Sequence, residues 1–251
     1  MSAPDQEGGE ASFFSHLIEL RTRLLKALVA VGVVLLALLP FANKLYGILA
    51  EPLLRSLPAG GQLVAIEVAS PFFTPIKLAF CTALVVAMPA VLYQLWAFVA
   101  PGLYRHEKKL AVPLLASSVF LFYLGCAFAY YLVLPTVFAF LAKITPAGVA
   151  MMTDISKYLD FVLVIFFAFG LCFEVPVAVV ILVALGWVTP KQLVESRGYV
   201  IVGAFVVAAV LTPPDVVSQI LLAVPMCLLY EVGVIASRTV TSRTPPDALT
   251  R

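Results

Sequence analysis

The chain has 251 residues, of which 63% are hydrophobic and 12% are charged, and its mean hydropathy is +1.07. This composition excludes a single soluble globule, because no soluble surface can hide so much apolar area. The net charge of +2 is too small to indicate nucleic acid, and the basic residues are spread over several loops. Long apolar runs therefore predict an all-α integral membrane protein.

The N-terminal segment precedes the first apolar run. It is acidic and rich in glycine, which is the wrong charge for the start of a signal peptide, so residues 1–14 are predicted to be a disordered tail. The next residues, SFFSHLIELRTRLLKAL, predict an amphipathic helix start with Ser12 or Ser15 as the N-cap. Glu19 stands four residues before Arg23, which is the favourable order for an ion pair on a helix.

Six apolar runs define a membrane domain over residues 15–237, followed by a cytoplasmic tail over residues 238–251. The predicted spans are approximately 24–41, 72–99, 114–134, 158–185, 199–211 and 216–235. The fifth run is short for a span, so it must either cross the membrane or turn back. The intervals 43–70 and 135–157 are predicted to be external, the first with some helix.

Local signals mark where several helices begin. Ser70 is followed by Pro71, a cap with proline at the first helical position. Thr153 or Asp154 is predicted to cap the fourth span, and Thr189 opens a capping box that predicts a short surface helix.

The distribution of basic residues decides between a crossing and a re-entrant fifth run. If every run crosses, one side of the membrane holds 11 Lys and Arg residues, namely Arg21, Arg23, Lys26, Arg105, Lys108, Lys109, Lys191, Arg197, Arg238, Arg243 and Arg251. The other 5 are Lys44, Arg55, Lys77, Lys143 and Lys157. The positive-inside rule therefore predicts six spans with both termini in the cytoplasm.

Polar side chains inside the spans are the first functional candidates. Glu174 lies midway along the fourth span with no basic residue within a turn, so we expect it to face protein, a watery cavity or a hydrogen-bond partner. Proton relay, ligand binding and interhelix hydrogen bonding all fit, and Glu174 is taken as the only deep acid. Gln219 is expected to form an ordinary interhelix hydrogen bond through its amide, and Asp215 to cap a helix. Lys77 is expected to extend outward so that its charged end reaches the membrane surface.

Two further acids, Glu19 and Glu107, lie at cytoplasmic ends of spans. From residue type alone, ion pairs with basic neighbours in their own segments are favoured. The alternative is that the two carboxylates and the aromatic rim of Phe98 and Tyr104 form a receptor for guanidinium groups, which carboxylates bind bidentately.

No motif indicates enzymatic chemistry. The sequence has no phosphate loop, no zinc-protease motif and no dinucleotide-binding glycine pattern. The four cysteines all lie inside apolar runs without metal or disulfide spacing. We therefore expect no enzyme activity, no metal and no cofactor.

Five longer motifs resemble those of a known family. They are HLIELRTRL, VASPFFTPIKLAF, LYQLWAFVAPGLYRHEKKL, FGLCFEVPVAVV and LTPPDVVSQILLAVPM. Together, from about residue 15 to residue 237, they closely resemble the C subunits of the twin-arginine protein translocase.

The resemblance implies a multi-pass protein of the bacterial inner membrane, with six spans in a cupped bundle. It implies a receptor for the paired-arginine signal peptides of folded proteins, which works with small single-span translocase subunits, other copies of itself and membrane lipid, and is driven by the proton gradient. The implied signal-peptide-binding residues are Glu19, Phe98, Arg105, His106 and Glu107. The implied intramembrane polar or partner-docking residues are Glu174 and Gln219, and the implied structural or external-loop residues are Pro52 and Asp215.

Two other functions remain open. A proton-coupled small-molecule transporter would use Glu174 as its proton carrier, although the six spans show no two-halved repeat of interrupted helices. A passive membrane scaffold would be indifferent to both Glu19 and Glu107.

Overall fold

The computed structural model describes residues 6–56, 62–99, 111–145, 152–211 and 216–241. Its α-helices are α1 (Gln6–Leu38), α2 (Ala42–Ser56), α3 (Ser70–Val99), α4 (Ala111–Phe128), α5 (Leu134–Ile144), α6 (Ile155–Cys172), α7 (Val175–Ala184), α8 (Pro190–Glu195), α9 (Arg197–Leu211) and α10 (Val216–Thr241). A 3-10 turn (Leu39–Phe41) joins α1 to α2, and a π-helix (Ala129–Val133) joins α4 to α5. Two short strands, β1 (Gln62–Val64) and β2 (Met152–Asp154), complete the described part.

The helices account for all six predicted spans, which confirms the all-α membrane fold. Among the described residues, five stretches are long and apolar enough to cross a bilayer, namely Leu17–Glu51, Ser70–Phe98, Val112–Ile144, Ile155–Ala184 and Gln219–Arg238. The sixth, α9, has 15 residues and a length of about 22 Å, which is shorter than the hydrocarbon core of a typical bilayer. The cytoplasmic placement of both termini stays a prediction.

The N-terminal boundary differs from the prediction. Helix α1 begins at Gln6, so neither Ser12 nor Ser15 is its cap, and helix reaches into the segment predicted to be disordered. At the other end of the chain, α10 continues to Thr241, three residues into the predicted tail.

The third and fourth spans also differ in detail. The third does not end near residue 134, because Pro135 lies in the first turn of α5, where its missing N–H is tolerated, and helix continues to Ile144. The fourth is interrupted between Cys172 and Val175, because Pro176 has no N–H to donate to the Cys172 carbonyl. This interruption places Glu174 at a break between two helices.

The predicted starts and stops elsewhere agree closely. Thr189 forms the expected capping box with Gln192 at the start of α8. At the end of α7, Gly186 adopts a left-handed conformation with φ of 71°. The N–H of Trp187 then donates to the Leu182 carbonyl at 3.1 Å, which closes a glycine-ended helix.

Glycines allow two helix pairs to approach closely. A Cβ at Gly125 of α4 would lie 2.6 Å from the carbonyl oxygen of Phe169 on α6. A Cβ at Gly233 of α10 would lie 2.9 Å from the Cα of Pro176 on α7. Both contacts are to backbone, so these positions require glycine for the observed packing.

The strands and Asp154 tie together the two segments that were predicted to be external. Strand β1 pairs in parallel with β2, and Val64 lies opposite Asp154. Asp154 caps α6 as predicted, because its Oδ1 accepts hydrogen bonds from the N–H groups of Ser156 at 2.9 Å and Lys157 at 3.0 Å. Its Oδ2 accepts from the N–H of Ile66 at 3.1 Å, which fastens the segment before α3 to the start of α6.

Asp154 is expected to make stability depend on pH. The N–H groups of Lys157, Ile66 and Ser156 lower the pKa of this carboxyl below its ordinary value. The stabilisation is therefore present above the ordinary pKa and is lost as the pH falls through the folded-state pKa. On acidification from about pH 7 to about pH 3, the thermal unfolding temperature of the wild type should fall more steeply than that of Asp154→Asn. Asparagine can still cap a helix but does not titrate there. Parallel pH curves for the two proteins would contradict this assignment.

Candidate functional site

The predicted ion pair at the start of the first span is present. Arg23 Nη2 lies 3.3 Å from Glu19 Oε1, and the two side chains are 28% and 36% exposed. The other Arg23 terminal nitrogen donates to Gln94 Oε1 of α3 at 3.5 Å. Such a half-exposed pair contributes roughly 1 kcal/mol or less to stability, so the bond between Glu19 and Arg23 is easily exchanged for another.

The same contacts bring Glu19 and Phe98 to one level of the membrane. Arg23 of α1 bonds to Gln94 of α3, whereas Val31, further along α1, shares a buried cluster with Ala83 and Ala87, which come earlier in α3. The two helices are therefore antiparallel. Glu19 lies one turn before Arg23, and Phe98 lies one turn after Gln94. Glu19 and Phe98 thus lie at the same end of the pair.

Other predicted site residues fall outside the described ranges. Arg105, His106 and Glu107 belong to the interval 100–110, and Asp215 to the interval 212–215. Their proposed roles stay predictions. Pro52 lies within α2, in the external region where the sequence predicted some helix.

Glu174 has a hydrogen-bond partner that the sequence analysis missed. Ser118 of α4, which is 1% exposed, donates its hydroxyl to Glu174 Oε2 at 2.5 Å. The other carboxyl oxygen, Oε1, is buried and has no hydrogen-bond partner among the described residues. Ten residues separate Glu174 from Ala184 at the end of α7, which corresponds to about 15 Å of helix. The expectation that Glu174 faces a hydrogen-bond partner is therefore confirmed. Its Oε1 can still accept a hydrogen bond from another donor.

Gln219 forms the interhelix amide bond that its position favoured. Its Nε2 donates to the carbonyl oxygen of Phe205 at 3.2 Å, which ties α10 to α9. A role in docking partner subunits stays a prediction for this residue.

Two interhelix ion pairs correct the account of charges in the spans. Lys77 of α3, expected to snorkel outward, pairs with Asp160 of α6. Arg197 Nη2 of α9 lies 2.6 Å from Glu231 Oε2 of α10. Glu174 is therefore not the only acid inside the predicted spans. It differs from Asp160 and Glu231 in having a hydroxyl partner rather than a basic one.

The described residues contain no group of three or more His, Cys, Asp or Glu side chains arranged to hold a metal ion.

Comparison with known proteins shows a consistent similarity. A family model described as "Sec-independent protein translocase protein (TatC)" matches residues 15–225. A TatC protein of Halothiobacillus neapolitanus is 56% identical over 233 residues, which cover 93% of this chain and 64% of that protein. A TatC protein of Escherichia coli K12 is 55% identical over 224 residues, which cover 89% of this chain and 87% of that protein.

A solved structure shares the architecture as well. The crystal structure of a twin-arginine translocase receptor, TatC, superposes with a TM-score of 0.80 at 38% sequence identity. The match covers 90% of this chain and 99% of that one.

Proposed function

Since the chain belongs to the TatC family of Sec-independent protein translocase proteins, we propose that it is the core subunit and signal-peptide receptor of a twin-arginine translocase. It is a multi-pass protein of the bacterial inner membrane. Its ligands are the paired-arginine signal peptides of folded proteins, and transport is driven by the proton gradient. The small-molecule transporter alternative receives no support, because the reported relatives are all translocase proteins.

The observation that carries the proposal is the accessible Glu19 carboxylate, which lies at the same end of the α1 and α3 pair as Phe98. Glu19 already binds a guanidinium group, that of Arg23, at a half-exposed position. An arginine of a signal peptide can therefore replace Arg23 by exchanging one guanidinium for another, and no charge is left without a partner on Glu19. Arg23 keeps its bond to Gln94 during this exchange, so the displaced side chain remains anchored.

The second half of the receptor surface is the central loop, where Glu107 supplies the second carboxylate for the second arginine. Arg105 and His106 complete this surface, and the flanking lysines and arginines attract it to the anionic lipid of the cytoplasmic leaflet, where signal peptides arrive. Lysine forms a point contact with a carboxylate and lacks the planar fork of arginine, so a two-carboxylate receptor discriminates between the two residues.

Partner subunits of the translocase dock on α9 and α10. These helices present exposed apolar side chains, such as Tyr199 and Val210 on α9, and are tied together by the Gln219 amide. Glu174 offers its open oxygen Oε1 to a donor from the inserted signal peptide or from a partner helix, because an unpaired carboxyl oxygen at this depth gains most from a new hydrogen bond.

The proposal is tested by photocrosslinking to a labelled twin-arginine signal peptide in native membranes. Probes at the exposed positions Leu20 and Leu95 flank Glu19 and Phe98 without removing either side chain. A probe at Phe72, an exposed aromatic residue at the opposite end of α3, is the matched control. We expect crosslinks from positions 20 and 95, none from position 72, and loss of both crosslinks with a twin-lysine peptide. Crosslinks that do not depend on the arginines would overturn the receptor function.

A further inference from the structure

Helix α3 contains a proline between its long membrane part and the end that carries Phe98. Pro89 has no N–H, so the carbonyl of Val85 lacks the donor that an ordinary helix would supply. The proline ring also crowds the preceding turn, which makes this position a point where the helix can bend. Inside a bilayer the freed carbonyl must find another donor, because no water is there to supply one.

A tyrosine of the neighbouring helix supplies that donor. The Tyr123 hydroxyl of α4 donates to the Val85 carbonyl at 3.1 Å and lies 3.4 Å from the Val86 carbonyl. Side chains on both sides of the proline, Met88 and Leu92, share a buried cluster with α4. The hydrogen bond therefore lies at the exposed edge of a packed contact between α3 and α4.

The same arrangement occurs a second time in the protein. Pro52 of α2 removes the ordinary helical donor for the Ile48 carbonyl. The Tyr130 hydroxyl donates to that carbonyl at 3.0 Å. Pairing a proline-freed carbonyl with a tyrosine from another helix is thus a repeated feature of this fold.

The position of Pro89 connects this bond to the receptor surface. The ten residues after Pro89, up to Val99, include Gln94, which binds Arg23, and Phe98, which lies at the same end of the helix pair as Glu19. Any change of direction at Pro89 moves both side chains relative to α1. We propose that Tyr123 is a positioning residue for signal-peptide binding, because its bond to the Val85 carbonyl fixes the direction of the last part of α3. The effect of Tyr123 on signal-peptide binding rests on the proposed function, whereas its effect on the direction of α3 does not.

The geometry is tested by pulsed electron paramagnetic resonance distances with the full-length protein in lipid nanodiscs. Genetically encoded nitroxide labels avoid the four native cysteines. One label is placed at Tyr199 on α9 and the other at Leu95, beyond the proline, or at Phe80, before it; all three positions are exposed. In Tyr123→Phe we expect the 95-to-199 distance distribution to shift or broaden, while the 80-to-199 distribution stays as in the wild type.

The functional consequence is measured as the affinity for a twin-arginine peptide. Loss of one neutral hydrogen bond should weaken binding by about threefold to tenfold in Tyr123→Phe. Tyr131→Phe is the control, because the hydroxyl of this highly exposed tyrosine makes no hydrogen bond to a described residue, and its affinity should equal that of the wild type.

A rescue variant separates positioning from a general loss of packing. Pro89→Ala restores an N–H that can donate to the Val85 carbonyl, so adding Tyr123→Phe to Pro89→Ala should change neither the distances nor the affinity further. An unchanged 95-to-199 distribution in Tyr123→Phe, or an equal loss of affinity with and without Pro89, would overturn the inference. Failure of the wild type to prefer the twin-arginine peptide would overturn the proposed function instead, and the distances would still test the role of Tyr123.

Discussion

Glu107→Ala is expected to weaken binding of a paired-arginine signal peptide by about 10-fold to 100-fold, because a charge-assisted, bidentate hydrogen bond to a guanidinium group is lost. Glu19→Ala should have an effect of the same order. In that variant the Arg23 guanidinium also loses its partner and repels an incoming arginine, which adds to the loss. The measurement is equilibrium binding of a fluorescent signal peptide to the protein in nanodiscs at constant ionic strength, since surface electrostatics depend on salt.

Two controls make this prediction specific. Glu195→Ala removes an exposed acid at the end of α8, away from the α1 and α3 contact, and should leave the affinity unchanged. A twin-lysine peptide should bind weakly to the wild type and lose little further in Glu107→Ala. Equal losses for the two peptides would show that Glu107 contributes only general negative charge, and the two-carboxylate receptor would then be wrong.

Much of this fold could be predicted because it follows from local chemistry. The apolar runs located the six spans, short-range patterns narrowed the cap of the fourth span to Thr153 or Asp154, and Thr189 was recognised as a cap. The Glu19 and Arg23 pair followed from a spacing of four residues on one helix. Each of these features depends only on neighbours in the sequence.

The contacts between helices could not be predicted in the same way. Helix α4 is apolar on all sides, so no amphipathic face indicates that Ser118 meets Glu174 or that Tyr123 meets the Val85 carbonyl. The pair of Lys77 with Asp160 likewise depends on the depth and rotation of two separate helices. Only the break at Glu174 left a local signal, which was Pro176 two residues later.

Ser118→Ala is expected to lower the free energy of unfolding by about 1–3 kcal/mol, because neither oxygen of the partly buried Glu174 carboxyl would then have a partner. Ser117→Ala is the matched control. The Ser117 hydroxyl donates at 2.8 Å to the Leu114 carbonyl of its own helix, so its removal leaves no buried charge unpaired and should cost much less. Reversible denaturation in detergent, followed by circular dichroism, measures both variants. Equal losses for the two serines would contradict a specific bond to Glu174.

The double variant Ser118→Ala with Glu174→Leu separates a structural role of Glu174 from a functional one. Replacing both partners by apolar groups removes the unsatisfied carboxyl, so stability should return close to that of the wild type. If Glu174 only ties α4 to the break between α6 and α7, export of a twin-arginine substrate should return together with stability. If its open oxygen binds a donor from an inserted peptide or a partner helix, the double variant should be stable and still fail to export. We expect the second result, because a buried acceptor without a partner is costly to keep in a fold that gains nothing else from it.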